Sequence, residues 1–565
     1  MESFGVQRAR ALGQILRNHW GLLCVLLLWS YLFTYSASLK NPNERTRVLQ
    51  ARAIVEYGQL HIGETRPRRR GKFVAHDLYG ARYKGVNDVG LICEKEDKAP
   101  PNCAGKLYPA KAPGTSFMGA PVLFVASLLG MVPEGKKGEI NATWILRYGG
   151  VAFPMLLALW LFSLWLIKMG VPVEVRQILV LATGLGTGLF PYSIMFVGHA
   201  TAGAAIFASC WFLSRAHQKN QGALLWGGVA GFFAAAAVFL EYHAAIATLC
   251  IAAWALVRFR QGRALVGFAA GSFPGLCLFM LFHNHVFGHP LRTGHAFLFT
   301  KHNRVHQAKG FLGLEGPGLE SLGTHLFDTY MGLIPLMPWL FLGAVLGLRE
   351  MWRSERNPAL KDMNRTLVSV CLVYLLFAAS LGPFRAMNGW SIGPRYLVPS
   401  MMAMAAVASI GWWSCLRDGR YRLFALCSAL AAVSLVVVGT LTLAFPQPPS
   451  SVRSPFGELA LPLLMEGWAV RNLGHYAGLG FGSIVLFVLA LAAAAGVLLR
   501  GVEPAWQSAS LRWQGRLISA SVFCIWLWTL AAFSPTDSQK LLKAHQFVRD
   551  RVEGVSPVKA PLPGQ

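Results

Sequence analysis

Apolar stretches long enough to cross a bilayer recur along almost the whole chain, among them Leu22 to Ala37, Trp144 to Ile167 and Leu423 to Ala444. A spanning helix needs roughly 20 such residues. Inside lipid only a helix or a closed barrel satisfies its own backbone hydrogen bonds. The pattern therefore predicts an all-α polytopic membrane protein. One segment breaks it: residues 39–115, directly after the first apolar run, are strongly polar and hold the densest gathering of carboxylates and cations in the chain.

Within that segment Asn41 or Asn43 is placed to cap a helix whose first turn holds Glu44. The following ERTRVLQARAIVEYG has apolar residues near helical spacing, as expected of a short helix lying on the membrane surface. The helix dipole favours a first-turn carboxylate as the ion, while an apolar boundary acts the other way. That balance suits a general base, and it equally suits a charge that only stabilises its helix. His76-Asp77, Asn87-Asp88 and the cationic run Arg66, Arg68, Arg69, Arg70 and Lys72 follow. The run reads as a solvated face or a contact for anionic headgroups. Cys93 and Cys103, the two cysteines in polar sequence, could close a disulfide. A metal held by both with His76 is the alternative, without the paired spacing of a zinc site.

Composition removes the soluble class: 54% hydrophobic and 14% charged residues over 565 positions do not wrap around one soluble core. The net charge of +26 does not point to nucleic acid, because the cations sit in short clusters between apolar runs, as the positive-inside rule requires. The start, with Arg8, Arg10 and Arg17, reads as an uncleaved anchor with a cytoplasmic N-terminus.

Counting spans turns on Ser116 to Val132, which is either a short crossing or an interfacial helix. If it does not cross, the connectors bearing Arg215 and Lys219, Arg258, Arg260 and Arg263, Arg349, Arg353, Arg356 and Lys361, Arg417, Arg420 and Arg422, and Arg500 and Arg512 all face the cytoplasm. If it crosses, all lie outside. The first count obeys the charge rule and gives about thirteen helices. The outer face then carries the first loop, the turns at His199 and Glu241, the stretch from His283 to Tyr330, the turn Phe384 to Tyr396, the loop 445–478 and the tail from Ser534.

Several outer motifs occur in a recognisable order: NER followed by ARAIVEYG, then an Asp, GKLYPAKAPG, YSIMFVGH, PLRTGH and GWSIGPRY. In this order they resemble the bacterial GT-C glycosyltransferases, the group that includes protein O-mannosyltransferases and the lipid A aminoarabinose transferase. The likeness runs from about residue 20 to 400. It implies a catalytic region over residues 1–400, with juxtamembrane helices in a first outer loop at 39–143, then further helices at 401–533 and an outer tail at 534–565.

The implied activity is transfer of a sugar from a polyprenyl-phosphate donor to a lipid, glycan or protein acceptor on the outer face of the inner membrane. Nucleic acid is no partner in this reading, membrane lipids are, and a divalent metal is left open. Carried over by position, Glu44 is the candidate base, and Lys111 and Arg395 are the candidate phosphate ligands. Asp88 would position the acceptor or a metal. Tyr108, Arg292 and Trp390 join the substrate-binding set, Trp390 either by stacking on a sugar or by anchoring at the interface.

Two departures stand out. Asn43 occupies a position where many relatives carry Asp, so the base stays open among Glu44, Asp77 and Asp88. His199 stands where relatives commonly place a second acid, as a base or donor near neutral pH or as a polar cap. Glu241, Tyr242 and His243 interrupt an apolar hairpin, as a tight turn would. His283, His285, His289 and His295 cluster around PLRTGH without diagnostic metal spacing. A transporter or flippase of lipid-linked sugars is the rival class, and it should show internal repeats and broken helices, of which the chain has no convincing repeat. A ligase for lipid-linked polysaccharides would place its large loop late, where this chain has its largest loop early.

Overall fold

The computed structural model describes residues 4–32, 41–68, 72–83, 86–94, 103–218, 222–259, 262–300, 305, 314–353, 358–382, 390–500, 509–533 and 535–554. Arg69, Arg70, Lys219, Arg260, Arg356, the turn 383–389 and the end of the tail at 555–565 lie outside them.

The chain is an integral membrane protein built almost wholly of helices. Among the described residues nine helices are long and apolar enough to cross a membrane. They include α1 (Phe4–Leu32), α9 (Ala223–Leu240), α11 (Arg263–Phe287) and the helices Tyr421–Ala444 and Gly482–Arg500. The other crossings of the thirteen-helix expectation fall on α6 (Val173–Leu185) with α7 (Leu189–Ser193), α8 (Gly198–Gln218), α10 (Ala245–Arg258) and the helix Pro338–Arg353, none of which is among the nine. The ambiguous segment forms α3 (Gly114–Leu128), whose 15 residues fall short of the roughly 20 needed to span.

Small residues let the helices approach. In α9 and α11 a side chain at Gly227, Gly231, Gly267 or Gly271 would run into the backbone of the facing helix. Both pairs are spaced as small-xxx-small, the pattern by which membrane helices gain contact where lipid offers no hydrophobic drive.

The first loop departs from the all-helical expectation. Its one surface helix, α2 (Pro42–Tyr57), starts as expected: the Asn41 side chain accepts from the Asn43 N–H, and Pro42 occupies the first turn. Gly58 closes the helix at φ 61°. There follows a four-stranded antiparallel sheet in the order β2 (Lys72–Asp77), β1 (Gly63–Arg68), β4 (Gly105–Pro109), β3 (Val89–Cys93). Its inward positions, Ala75, Leu91 and Leu107, gather with Ile62 and with Leu49 of α2 into a small core of their own. Alternation with period two is what a half-buried strand needs. Cys93 and Cys103 are joined as a disulfide at the connected end of the β3–β4 pair, opposite the end that carries Asp88 and Lys111. Two joined sulfurs leave no thiolates for the metal alternative.

From the sheet the chain returns to the membrane through α3 and α4 (Glu139–Arg147), which runs through a π-helical turn at Tyr148–Ala152 into α5 (Phe153–Lys168). α2 rests on α3, α4 and β4. The end of the bundle that meets α2 and the sheet therefore carries the first-loop candidates.

Candidate active site

Glu44, in the first turn of α2, is 2% exposed. Arg147 donates to it from Nε at 2.6 Å and from Nη2 at 2.7 Å, and the Phe196 N–H donates at 2.7 Å. Both carboxylate oxygens are thus engaged by charge-assisted bonds of the strong, bidentate kind. Arg147 is the last residue before the π turn. The Phe196 ring sits against Gly119 and Gly150, where any side chain would collide with it, and this fixes the amide that reaches Glu44.

Asp77 is committed in a similar way. Its Oδ1 accepts from the N–H groups of Tyr79 at 3.1 Å and Ala81 at 2.9 Å, closing the turn after β2, and its Oδ2 accepts from Arg45 at 3.1 Å. A base must present a lone pair to the proton it removes. Each of these two carboxylates accepts three bonds, and taking up a proton would weaken the contacts that hold the loop together.

Asp88 is different. It ends a single 3-10 turn ahead of β3, and Lys111 follows β4 two residues on. The register that pairs Val89 with Pro109 brings them side by side, and the Ala110 N–H donates to the Asp88 carbonyl at 2.9 Å. Lys111 Nζ lies 3.3 Å from Asp88 Oδ1, with side-chain exposures of 21% and 23%. Among the described residues this is the carboxylate's one side-chain ion pair, and with about a fifth of it in solvent it keeps lone pairs open.

Beneath this pair lies a buried polar group built by four elements. Arg47, one helical turn after Glu44, donates from Nη2 to Glu241 Oε1 at 2.8 Å. Its side chain is wholly buried, and its Nε and Nη1 have no hydrogen-bond partner among the described residues. His199 Nδ1 is 3.5 Å and His243 Nδ1 4.0 Å from the Glu241 carboxylate. α8 can start this close because residue 198 is glycine: a Cβ there would lie 2.8 Å from both Glu241 Oε1 and Thr115 Oγ1.

Arg395 completes the group. It donates to the Tyr396 hydroxyl at 3.0 Å, with its guanidinium 4.8 Å from the ring centre. Among the charges felt by His199 are those of Arg47, Arg395, Lys111 and Asp88, and Arg395 itself feels Asp88. The charges of the Asp88–Lys111 pair, of Arg47 and of Arg395 thus reach His199.

The other expected residues are held by contacts of their own. Tyr108 meets His61 and Phe287 edge-on, at 6.2 and 6.4 Å between ring centres. Burial and the charge of Lys106 hold the His61 imidazole below its ordinary pKa. Arg292 is exposed, with its guanidinium 5.9 Å from the Phe297 ring centre. Its segment docks on the sheet beside Asp88: the Phe299 N–H donates to the Val89 carbonyl at 2.9 Å and Leu298 bridges Gly90. Trp390 is partly exposed and sets its ring against Phe547 of the C-terminal tail, 4.5 Å between centres.

The histidine cluster around PLRTGH does not gather. His283 is held between the Tyr242 hydroxyl at 3.0 Å and the Phe279 carbonyl at 2.7 Å. Among the described residues no three His, Cys, Asp or Glu side chains come together as a metal site would need.

Arg47 and Arg147 were not singled out by sequence reasoning, and Glu241 was read as part of a turn. The available signal was ionisable residues at the ends of apolar runs, which in membrane proteins usually face a protein interior and a partner.

No family model matches the chain, and no curated protein matches it. Two solved structures are similar to it, both crystal structures of ArnT from Cupriavidus metallidurans. The one bound to undecaprenyl phosphate has a TM-score of 0.45 at 14% identity, covering 92% of this chain and 78% of that one. The one in the apo state has a TM-score of 0.44 at 12% identity, covering 96% of this chain and 89% of that one.

Proposed function

We propose that the chain is a membrane glycosyltransferase that moves a sugar from a polyprenyl-phosphate donor to a hydroxyl acceptor, with Asp88 as the base and Lys111 and Arg395 as the ligands of the departing phosphate. The observation that carries this reading is the partly exposed Asp88–Lys111 pair, whose charges reach His199 and, from Asp88, Arg395.

In this reaction the acceptor oxygen attacks the anomeric carbon and its proton passes to Asp88. The bond from that carbon to the phosphate oxygen breaks, and its electron pair leaves with the phosphate. Positioned cations favour that step because the charge develops where they already point. The anionic donor also competes with Asp88 for Lys111. Arrival of the phosphate would draw the ammonium away and leave the carboxylate free to take a proton, so donor binding and base activation are coupled.

Glu44 then serves as the strut that fixes α2 against Arg147 and Phe196, and Asp77 as the closure of the β2 turn. Arg47, with two buried nitrogens unpaired, supplies further donors toward an anion, since buried polar groups are ordinarily satisfied. No step calls for a metal. The disulfide fits an oxidising compartment, and with the basic connectors on the opposite side it supports an active site on the outer face of a bacterial inner membrane.

The test is glycolipid analysis of membranes with and without the protein, and with Lys111→Ala. The expected result is accumulation of a polyprenyl-phosphate sugar and of an unmodified acceptor whenever the protein is absent or carries the substitution. Donor accumulating only in the inner leaflet would instead identify a flippase.

A further inference from the structure

The C-terminal tail folds back over the same end of the bundle as the candidate site, and two independent contacts tie it to the segment that presents Arg395. The first is direct. The tail helix Ser538–Arg549 starts under an Asp537 cap whose side chain accepts from the N–H groups of Gln539 and Lys540. Near its end it sets Phe547 edge-on against Trp390, five residues before Arg395.

The second runs through a chain of hydrogen bonds. Glu458, 3% exposed and lying in a π-helical turn (Pro455–Ala460), accepts from the Thr536 N–H at 2.8 Å and the Thr536 hydroxyl at 2.7 Å. His545 Nε2 meets the Glu458 carbonyl at 2.7 Å. Arg453 donates its N–H to the Thr536 hydroxyl at 2.9 Å and accepts from the Thr329 hydroxyl at 2.7 Å. The neighbouring Tyr330 donates to the Pro448 carbonyl at 2.7 Å and receives the Ser391 N–H at 3.4 Å. At its far end the tail pairs Glu553 and Gly554 with Ala469 and Trp468 as a short antiparallel ladder of β6 (Glu553–Gly554) on β5 (Trp468–Ala469), and Arg549 pairs with Glu466.

We infer that the tail, residues 535–554, is a brace that holds the segment Trp390–Tyr396 in place and so positions Arg395 for the donor phosphate. A buried carboxylate satisfied by a Thr of the tail is a costly arrangement to form without a use, since each such group must first be stripped of water. Here it links the tail to Ser391 by an unbroken chain of contacts, while Trp390 and Phe547 join the same two segments from the other side. Trp390 and Phe547 are positioning residues in this account, acting through Arg395. The inference rests on the proposed role of Arg395 as a phosphate ligand.

The test uses the full-length protein in lipid nanodiscs, with Phe547→Ala, Thr536→Val and a chain ending at Phe533. Amide exchange reports on the brace itself, and transfer kinetics report on its purpose. Faster exchange over Ser391–Tyr396 is expected in all three variants, with the sheet at 63–109 unchanged. The donor KM should rise about tenfold in Phe547→Ala with kcat nearly unchanged, as expected when a binding contact is loosened and the chemistry is spared. Unchanged exchange in both Phe547→Ala and the truncated chain would overturn the brace whatever the activity. Faster exchange with an unaltered donor KM, where the unsubstituted protein transfers sugar, would overturn its link to Arg395. If the unsubstituted protein transfers no sugar, the proposed function falls, and the exchange data still decide the brace.

Discussion

Two acid–cation pairs at one end of this bundle show what separates a structural charge from a reactive one. Glu44 and Arg147 form a closed pair: three donors at 2.6 to 2.7 Å on the carboxylate and both side chains buried. Asp88 and Lys111 form an open one: a single contact at 3.3 Å, with about a fifth of each side chain in solvent. Both acids lie in the first loop, and from sequence either could be the base. A closed pair is hard to recruit, because any proton it accepts must first displace a donor. An open pair is already partly solvated, and its cation is free to turn to an incoming anion. Arg47 and Glu241 stand between the two, buried like the first and incompletely bonded like the second.

Breaking the closed pair should have the largest effect on stability. Glu44→Ala strands Arg147 and the Phe196 amide, and removal of one partner from a buried pair costs about 3–5 kcal/mol. A thermal melt of the purified protein should show a clear fall in midpoint, with activity lost in proportion to the folded fraction. Next in size is the disulfide. Cys93→Ser together with Cys103→Ser should loosen the β3–β4 pair by about 2–4 kcal/mol, visible as faster amide exchange over 89–109. Transfer should fall too, because that register is what places Asp88 beside Lys111.

The intermediate pair should respond through binding. Arg47→Lys keeps the charge that Glu241 needs but loses the forked donors, so the donor KM should rise about tenfold, a loss of about 1.4 kcal/mol, with the melting midpoint unmoved. An unchanged KM would assign Arg47 to the structural class.

The smallest effect concerns His61, whose pKa is lowered by burial and by Lys106. A histidine with a depressed folded pKa adds stability that is fully present above its unfolded pKa and is lost as pH falls through the folded value. The sheet domain should therefore exchange faster as pH drops below about 6.5, once intrinsic exchange rates are corrected for pH. His61→Gln should flatten that dependence.

The helical membrane class and the polar first loop were legible in the sequence because membrane helices announce themselves by length and hydropathy alone. The sheet was not, since its strands are five or six residues long and their alternation is broken by charged positions that read as a solvated run. The site was legible by residue type and illegible by partner. Asp88 and Lys111 meet only because β3 and β4 pair in one register. Arg47 finds Glu241 across 194 residues and the seven helices α3 to α9. Glu44 matched the expected position and chemistry of a base, yet its two strongest donors, Arg147 and the Phe196 amide, come from segments that spacing could not connect to it. Trp390 carried the signature of a sugar platform, and its partner Phe547 lies in a tail that no motif reached.

The central claim is that the open pair, and not the closed one, carries the proton transfer. Its most direct test is the rate of sugar transfer from a polyprenyl-phosphate donor by Asp88→Asn, with a thermal melt of the same preparation. The expected result is a fall in kcat of about 10²–10⁴-fold, the contribution typical of a general base, at an unchanged melting midpoint. Full activity in Asp88→Asn, or an equal loss in Glu44→Gln at an unchanged midpoint, would contradict it.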